Sequence, residues 1–474
     1  MKLTFFGAAR QVTGSMFMLE LEDGYKILID CGTNLDTQDK FDKREQNSFG
    51  LFPFDASLVN TVVLTHAHID HSGQIPNLYR EGFEGQVLCT NPTMELTELL
   101  LHDAASINAK KHKSIQKSKR RSKKLKSVDS EDLYFSRQVD EALSNFVPIA
   151  FGKKFKFHES ASITLYPAGH LLGAAHVVFE VIEQGVRKTI GFSGDIGRKN
   201  YPLLVDPEPM PPVDYLVMET TYGDRYHQDK ERPVEALGRI IQSACIDKPG
   251  RLIIPAFSVG RTQAMLYTLN QLYSQTNIEP IKVFTDSPLG KASTKVYEKY
   301  HRLLNQEAQS FKKEEEQLFD FENLHYIEST EESKALSNHT EPCIILSSSG
   351  MVQGGRVEYH IEKNIENPYA TILMIGYATE GTIGHKLLNR EQKELTINHN
   401  KLVIQADIQK IDVFSGHGDL NDLINFVDRQ PRETLKKVFL VHGELTSMEN
   451  FKGILEEKGY NQVCIPDYFD SFTL

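Results

Sequence analysis

The stretch LTHAHIDHSG, residues 64–73, puts three histidines and an aspartate into six positions directly after the apolar run Thr61-Val62-Val63-Leu64. Polar residues collect in loops for many reasons, so the cluster has to be weighed. Histidine is scarce in this chain, 17 of 474 residues, and scatter rarely brings His66, His68 and His71 so close together with Asp70. Imidazole and carboxylate behind a short strand are the donors of a metal site. An extended loop turns His66 and His68 to one position and leaves Asp70 and His71 to face a second. Two pairs predict two metals, with further ligands from elsewhere in the chain.

Those ligands are not thiolates. The five cysteines, at 31, 89, 245, 343 and 464, are scattered, odd in number and never paired as CxxC. This argues against a disulfide framework and points to a reducing, cytoplasmic setting. Any metal is therefore held by histidine and carboxylate, a mixture that zinc accepts. Candidates stand at strand ends: His170 in YPAGHLLG, Asp195 in GFSGDIG and His442 in FLVHGE, each beside a glycine that lets the backbone turn closely. Asp30 in ILIDCG has the same strand-end placement. Alone, each reads as a turn aspartate or a structural histidine. Together with the HxHxDH block they read as a ligand set.

The length allows roughly two to four domains. Hydrophobic content of 40% and charged content of 25% are those of a soluble globular protein. The longest apolar runs, LIIPAF at 252–257 and ATILMIGYA at 370–378, have the length of buried strands. They fall short of the roughly 18 residues of a membrane span, so no membrane partner is expected. The start, MKLTFFGAARQ, has no sustained apolar core and shows no secretory signal. A net charge of −11 does not favour nucleic acid overall, but charge is local. Residues 110–126, KKHKSIQKSKRRSKKLK, carry ten lysines and arginines in 17 positions. The stretch is either a solvated face or a basic arm that meets phosphates.

Short β-branched strands alternate with helical segments through the first half, among them 2–6, 16–21, 26–29, 61–64, 87–90, 162–166, 176–181 and 188–192. Amphipathic helices are predicted near 94–109 and 132–146. From about 225 the rhythm changes to strand, turn and helix, in 251–273, 281–300 and 343–364, as in βαβ units with a parallel sheet. The charged segment 303–337 reads as exposed helix, and 447–458 as a final helix. No internal repeat is visible.

The HxHxDH loop resembles the signature of the metallo-β-lactamase superfamily. The blocks ETTYGD (219–224), IPAFSVGRTQ (254–263), TDSPLG (285–290), SSSGMVQGGR (347–356), GYATEGTIGH (376–385), FSGHGD (414–419) and LVHGE (440–444) resemble, in order, those of its beta-CASP nuclease branch. That branch includes ribonuclease J and the nuclease of the pre-mRNA cleavage and polyadenylation factor. The resemblance implies an α/β fold: a metallo-β-lactamase αββα sandwich with an inserted beta-CASP domain built on a parallel βα sheet. Ligands lie on both sides of the insertion, which gives a first catalytic part at 1–224, the insertion at 225–408 and a C-terminal catalytic part at 409–474.

By the same resemblance His66, His68 and His170 bind a first zinc ion. Asp70, His71 and His442 bind a second, and Asp195 bridges the two. Asp30 orients the loop from behind. Asp70, Glu219 and His417 are the implied catalytic residues, with His417 protonating the leaving oxygen. Arg261, Ser348, Ser349 and Arg356 are expected at substrate phosphates in a cleft between the domains. His158, His176 and His385 have no place in the pattern and are read as structural. Two zinc ions supply a nucleophile and neutralise phosphate charge, and a general acid completes phosphodiester hydrolysis. The expected substrate is single-stranded RNA, cut in processing or decay by endonuclease or 5′-exonuclease action, with DNA as the alternative. A small-molecule hydrolase of this fold lacks the insertion and the Glu219/His417 pair. A non-catalytic RNA-binding subunit would not keep every ligand.

Overall fold

Val62 and Val63 are neighbours in one strand, Thr61–Val63, yet they belong to different cores. Successive strand residues face opposite sides of a sheet, so a strand apolar on both faces must be covered twice. The computed structural model, which describes residues 1–35, 50–121, 132–229, 231–376, 378, 381–389 and 393–474, shows how. Thr61–Val63 lies in a seven-stranded sheet ordered Ser471–Thr473, Lys2–Phe5, Phe17–Glu20, Lys26–Ile29, Thr61–Val63, Gln86–Cys89, Phe146–Pro148. A second seven-stranded sheet runs Val463–Cys464, Lys437–Val441, Tyr215–Glu219, Val186–Phe192, Ala175–Glu183, Ala161–Pro167, Phe155–Lys156.

The inner faces of the two sheets share one core, in which Phe5, Phe17, Ile29 and Val63 meet Val177, Phe179, Phe192 and Phe439. Helices cover both outer faces. Ile75 and Leu78, from the helix Ile75–Arg80, pack with Leu28, Val62 and Val87. Helices Leu420–Val427 and Leu445–Glu457 place Leu423, Phe426, Met448 and Phe451 against Leu216, Met218 and Leu440. This is the αββα sandwich.

The sandwich unit comprises Met1–Lys199, Asp206–Tyr226 and His417–Leu474. A second unit, Asn200–Val205 with His227–Gly416, has its own core. Its six-stranded sheet is wholly parallel, ordered Leu324–Tyr326, Lys282–Asp286, Cys343–Ser347, Arg251–Pro255, Ala370–Met374, Asp407–Lys410. The central strands RLIIP, CIILS and ATILM are apolar without alternation, as a sheet covered on both faces requires. Among the described residues no helix is long and apolar enough to cross a membrane.

Three expectations need correction. The first helix runs Asn91–Arg121, well past residue 109, because the lysines and arginines that follow are good helix formers with no glycine or proline among them. The second is shorter, Ser136–Leu143, since Phe146–Pro148 pairs as a strand beside Gln86–Cys89. Segment 303–337 is not one exposed helical stretch: Leu318 and Phe319 are buried, and the edge strand Leu324–Tyr326 separates helices Gln306–Glu315 and Thr330–Ala335. Residues 122–126 of the basic stretch lie outside the described residues.

Candidate metal centre

The HxHxDH segment leaves the strand Thr61–Val63, runs extended through His66 and His68, and closes into the short helix Ile69–Ser72. The change of conformation between His68 and Asp70 sends the two halves of the motif to different positions. His66, His68, His170 and Asp195 form one group whose donor atoms lie within 4.8 Å of one another, and Asp70, His71 and His442 form another. The loop Cys31–Thr33 clamps the short helix, with Cys31 N–H donating to the His71 carbonyl at 2.7 Å and Thr33 N–H to the Ile69 carbonyl at 2.9 Å. Only glycine fits between them: a Cβ on Gly32 would stand 1.7 Å from the Asp70 carbonyl oxygen. Asp30 (φ 57°) and His442 (φ 49°) both hold left-handed backbone, an uncommon conformation that gathers at functional sites.

The spacing of the donors is that of a coordination shell. His68 Nδ1 is 3.1 Å from His66 Nε2 and 3.2 Å from His170 Nε2, and Asp195 Oδ2 is 3.5 Å from each of the latter two. A tetrahedral zinc with bonds of about 2.0–2.1 Å has ligand edges of about 3.3 Å. In the second group His71 Nε2 is 3.3 Å from His442 Nε2, which is 3.5 Å from Asp70 Oδ2. Asp195 turns Oδ2 to the first group and Oδ1 to the second, 3.3 Å from His71 Nε2. Among the described residues that Oδ1 is buried and has no hydrogen-bond partner. Nitrogens converging on nitrogens beside such a carboxylate oxygen fit a cation between them.

Electrostatics agree for the first group; in the second, burial would lower His71 but the carboxylates of Asp195 and Asp30 raise it well above its usual value. Burial, followed by the His71 charge, pushes His66 well below its usual value, and burial brings His68 down to about 4. Both are held neutral, the form that ligates metal. Burial alone would raise the carboxyl of Asp195, but its histidine neighbours, His442 first and then His71, hold it well below the usual range. Asp70, also pushed up by burial, is brought to about 2 by His442 and His71.

Behind the ligands stands a second layer. Asp30 Oδ2 accepts from His71 Nδ1 at 2.7 Å and from Thr65 Oγ1 at 2.9 Å, while Oδ1 accepts from Thr65 N–H at 2.8 Å. A carboxylate on the far nitrogen of a ligating imidazole fixes its ring and tautomer. Thr221 Oγ1 lies 3.0 Å from His442 Nδ1, and Ser15 Oγ 3.5 Å from His71 Nε2. Thr221 lies inside the quoted ETTYGD block, but a threonine in a turn carries no signal until the fold brings it to a ring. Glu219 Oε1 accepts from Ile196 N–H at 2.7 Å and from His417 Nδ1 at 3.0 Å. His417 Nε2 thereby faces Asp195 Oδ2 at 3.9 Å.

The three histidines read as structural are placed elsewhere: His176 Nδ1 is 2.5 Å from the Ser193 carbonyl, the His158 ring lies tilted against Tyr25, and His385 lies 3.2 Å from the Ala378 carbonyl. The four expected phosphate contacts sit at the C-terminal end of the parallel sheet of the second unit. Arg261 lies over the Phe257 ring, and Ser348 Oγ is 3.3 Å from Ser287 Oγ. Ser349 bonds the backbone of Gln353. Arg356 donates to Asp286 Oδ1 at 2.6 Å and to the carbonyls of Ile327 and Glu328.

An αββα sandwich with a histidine and carboxylate ligand set at its strand ends defines a metallo-hydrolase class. Family models match in chain order: the metallo-beta-lactamase superfamily over residues 9–222, the Beta-Casp domain over 262–387 and the Zn-dependent metallo-hydrolase RNA specificity domain over 401–466. The chain belongs to the metallo-β-lactamase superfamily, in its beta-CASP nuclease branch. It is 33% identical over 445 residues to ribonuclease TTHA0252 of Thermus thermophilus, covering 94% of this chain and 93% of that one. An RNase J-like protein of Methanocaldococcus jannaschii is 31% identical, covering 93% and 92%. Transcription termination factor FttA of the same organism is 31% identical, covering 100% of this chain and 72% of its own.

Proposed function

We propose that this protein is a ribonuclease that hydrolyses single-stranded RNA at a centre of two zinc ions. The observation that carries this is Asp195, whose two oxygens face two separate ligand groups. His66, His68 and His170 would hold one ion and Asp70, His71 and His442 the other, with Asp195 between. Bound there, the ions supply a nucleophile at neutral pH and neutralise the charge of the phosphate.

The chain's own residues do the rest. Asp30 and Thr65 hold the ligand loop in one conformation, so the donors need not reorganise when metal or substrate arrives. Glu219 accepts from His417 Nδ1 and leaves Nε2 directed at the site. His417 then passes a proton from Nε2 to the leaving oxygen as the P–O bond breaks, a contribution of about 10²–10⁴ in rate. At the sheet end of the second unit, Arg261 and the Ser348-Ser349 turn would meet substrate phosphates. Arg356, engaged with Asp286, would act mainly by ordering that turn. The RNA specificity segment and relatives named as ribonucleases support RNA as the substrate.

The test is cleavage of end-labelled single-stranded RNA, bearing 5′-monophosphate or 5′-triphosphate, beside single-stranded DNA of the same sequence. Cleavage of RNA that is lost with chelator and restored by zinc is the expected result. Preference for the 5′-monophosphate identifies exonuclease action, and indifference to it endonuclease action. Cleavage of DNA alone would overturn the reading.

A further inference from the structure

A groove of about 540 Å³ lies on the sandwich unit away from the ligand groups, between the helix Leu445–Glu457 and the edge strand Val463–Cys464. Its size is that of a small-ligand site. Arg10, Lys437 and Lys452 bring positive charge to it, Glu449 brings one opposing charge, and Asn461 and Gln462 stand along its strand side. Leu445, 40% exposed, adds apolar surface. With Glu449 in the lining, Asp467 beside Arg10 and Glu456 beside Lys452, the groove is rich in charge of both signs.

The groove is tied to the metal centre by the backbone. Leu445 follows the ligand His442 by three residues, and so few residues reach at most about 11 Å. Arg10 lies on the loop whose Ala8 and Gln11 carbonyls accept from His442 N–H at 2.8 Å and Gly443 N–H at 3.2 Å. Arg10 itself holds left-handed backbone at φ 57°. The loop that seats His442 therefore also sets the guanidinium at the groove.

The chemistry suits one kind of ligand. Single-stranded RNA offers phosphates to cations, base faces to apolar surface, and base edges to amides. Lys437 Nζ sits 5.0 Å from the Phe472 ring centre and 5.7 Å from that of Phe439, which fixes its position over the edge of the sheet. Arg10 pairs with Asp467 and Lys452 with Glu456 on exposed surface, and such pairs are weak enough to give way to phosphate.

We propose that this groove is a nucleotide-binding subsite that takes the RNA strand a short distance from the scissile phosphate. Arg10, Lys437 and Lys452 meet phosphates there, and Asn461 and Gln462 meet base edges. The inference rests on the ribonuclease reading above.

Two measurements on the full-length zinc-loaded protein test it. The variant Arg10→Gln/Lys437→Gln/Lys452→Gln is compared with wild type by RNA titration at several salt concentrations. Log affinity for single strands falls with log salt by about 0.7 per phosphate contact, so the variant slope should flatten by up to about 2. KM should rise for a long oligoribonucleotide more than for a trinucleotide. Because Lys437 packs on two rings, a wild-type experiment stands beside it. RNA containing 4-thiouridine, photo-crosslinked and digested with trypsin, should label the peptide that follows Lys458, which holds Asn461 and Gln462. An unchanged slope and KM, or crosslinks confined to other peptides, overturn the subsite while leaving the ribonuclease reading in place. A wild-type protein that neither binds nor cuts RNA overturns both.

Discussion

Glu219 accepts from three donors: Ile196 N–H and His417 Nδ1 on Oε1, and Thr221 N–H on Oε2 at 3.1 Å. It therefore holds His417, the proposed general acid, and also the backbone beside Asp195. This separates two substitutions that look equivalent in sequence. His417→Ala should lower kcat by about 10²–10⁴ with metal content unchanged, since only a proton donor is lost. Glu219→Ala should lower turnover at least as much and reduce bound metal too, because the buried Ile196 N–H loses its acceptor. Metal analysis beside turnover decides it, and full zinc content in both variants would show that Glu219 does not anchor Asp195. His442→Ala should lose about one of two zinc ions, which elemental analysis of protein purified without chelator reads directly. The candidate ligands were legible because histidine is scarce in this chain and three fall within six positions, and because the motifs that follow resemble a known set in order. Thr221, Ser15 and Thr65 were not, since a hydroxyl becomes informative only when tertiary folding sets it against a particular nitrogen.

At the scale of elements, the sequence marks what is periodic or apolar and hides what depends on a partner. The longer strands near the start of both sandwich sheets stand out as apolar runs, whereas short ones such as Phe146–Pro148, Phe155–Lys156 and Ser471–Thr473 do not. The edge strand Leu324–Tyr326 does not, because its three residues form a strand only by pairing with Val283, Phe284 and Thr285. The end of that neighbouring strand carries Asp286, which has no exposed surface and accepts from Arg356, His360 and Ser333. Burial alone would raise its carboxyl, but the bonds from His360, Ser333 and Arg356 bring it below the usual carboxylate range. A carboxyl lowered in the folded state stabilises fully above its unfolded pKa. That stabilisation is lost as pH falls through the folded value. Asp286→Ala leaves Arg356 and His360 without their shared anion and should cost about 3–5 kcal/mol in urea unfolding at neutral pH. Asp286→Asn should cost less and should remove part of the acid-side decline in stability that wild type shows below the ordinary carboxylate range. Parallel acid profiles for wild type and Asp286→Asn would show that the carboxylate contributes nothing as an anion.

For the whole molecule, the decisive point is that the candidate ligands are split along the chain. His66 to Asp195 lie in the first 199 residues of the sandwich unit, and His442 lies in its last segment, Gly416 being the end of the second unit. This discontinuity is readable in sequence, since ligand motifs flank a long βα segment. That Asn200–Val205 groups with the second unit is not, because its attachment is a tertiary contact, such as Asn305 N–H donating to the Leu203 carbonyl at 2.7 Å. A cation bound by both segments ties the chain's last strands to its first half. It exists only in the folded state, so binding adds to folding stability by mass action, about 2.7 kcal/mol at a hundredfold excess over Kd. Among the described residues the second unit holds none of the candidate ligands. Chelation should therefore lower the unfolding midpoint of the sandwich unit and leave that of the second unit unchanged, resolving two transitions in a melt that shows closer ones with zinc. His442→Ala should reproduce part of the shift without chelator and respond less to it. Hydrogen exchange assigns the transitions: in metal-free protein, protection should fall first in Lys437–Val441 and Tyr215–Glu219, which pair in parallel beside the ligand loops. Equal destabilisation of both units would mean that metal binding is coupled through the entire chain rather than confined to the sandwich.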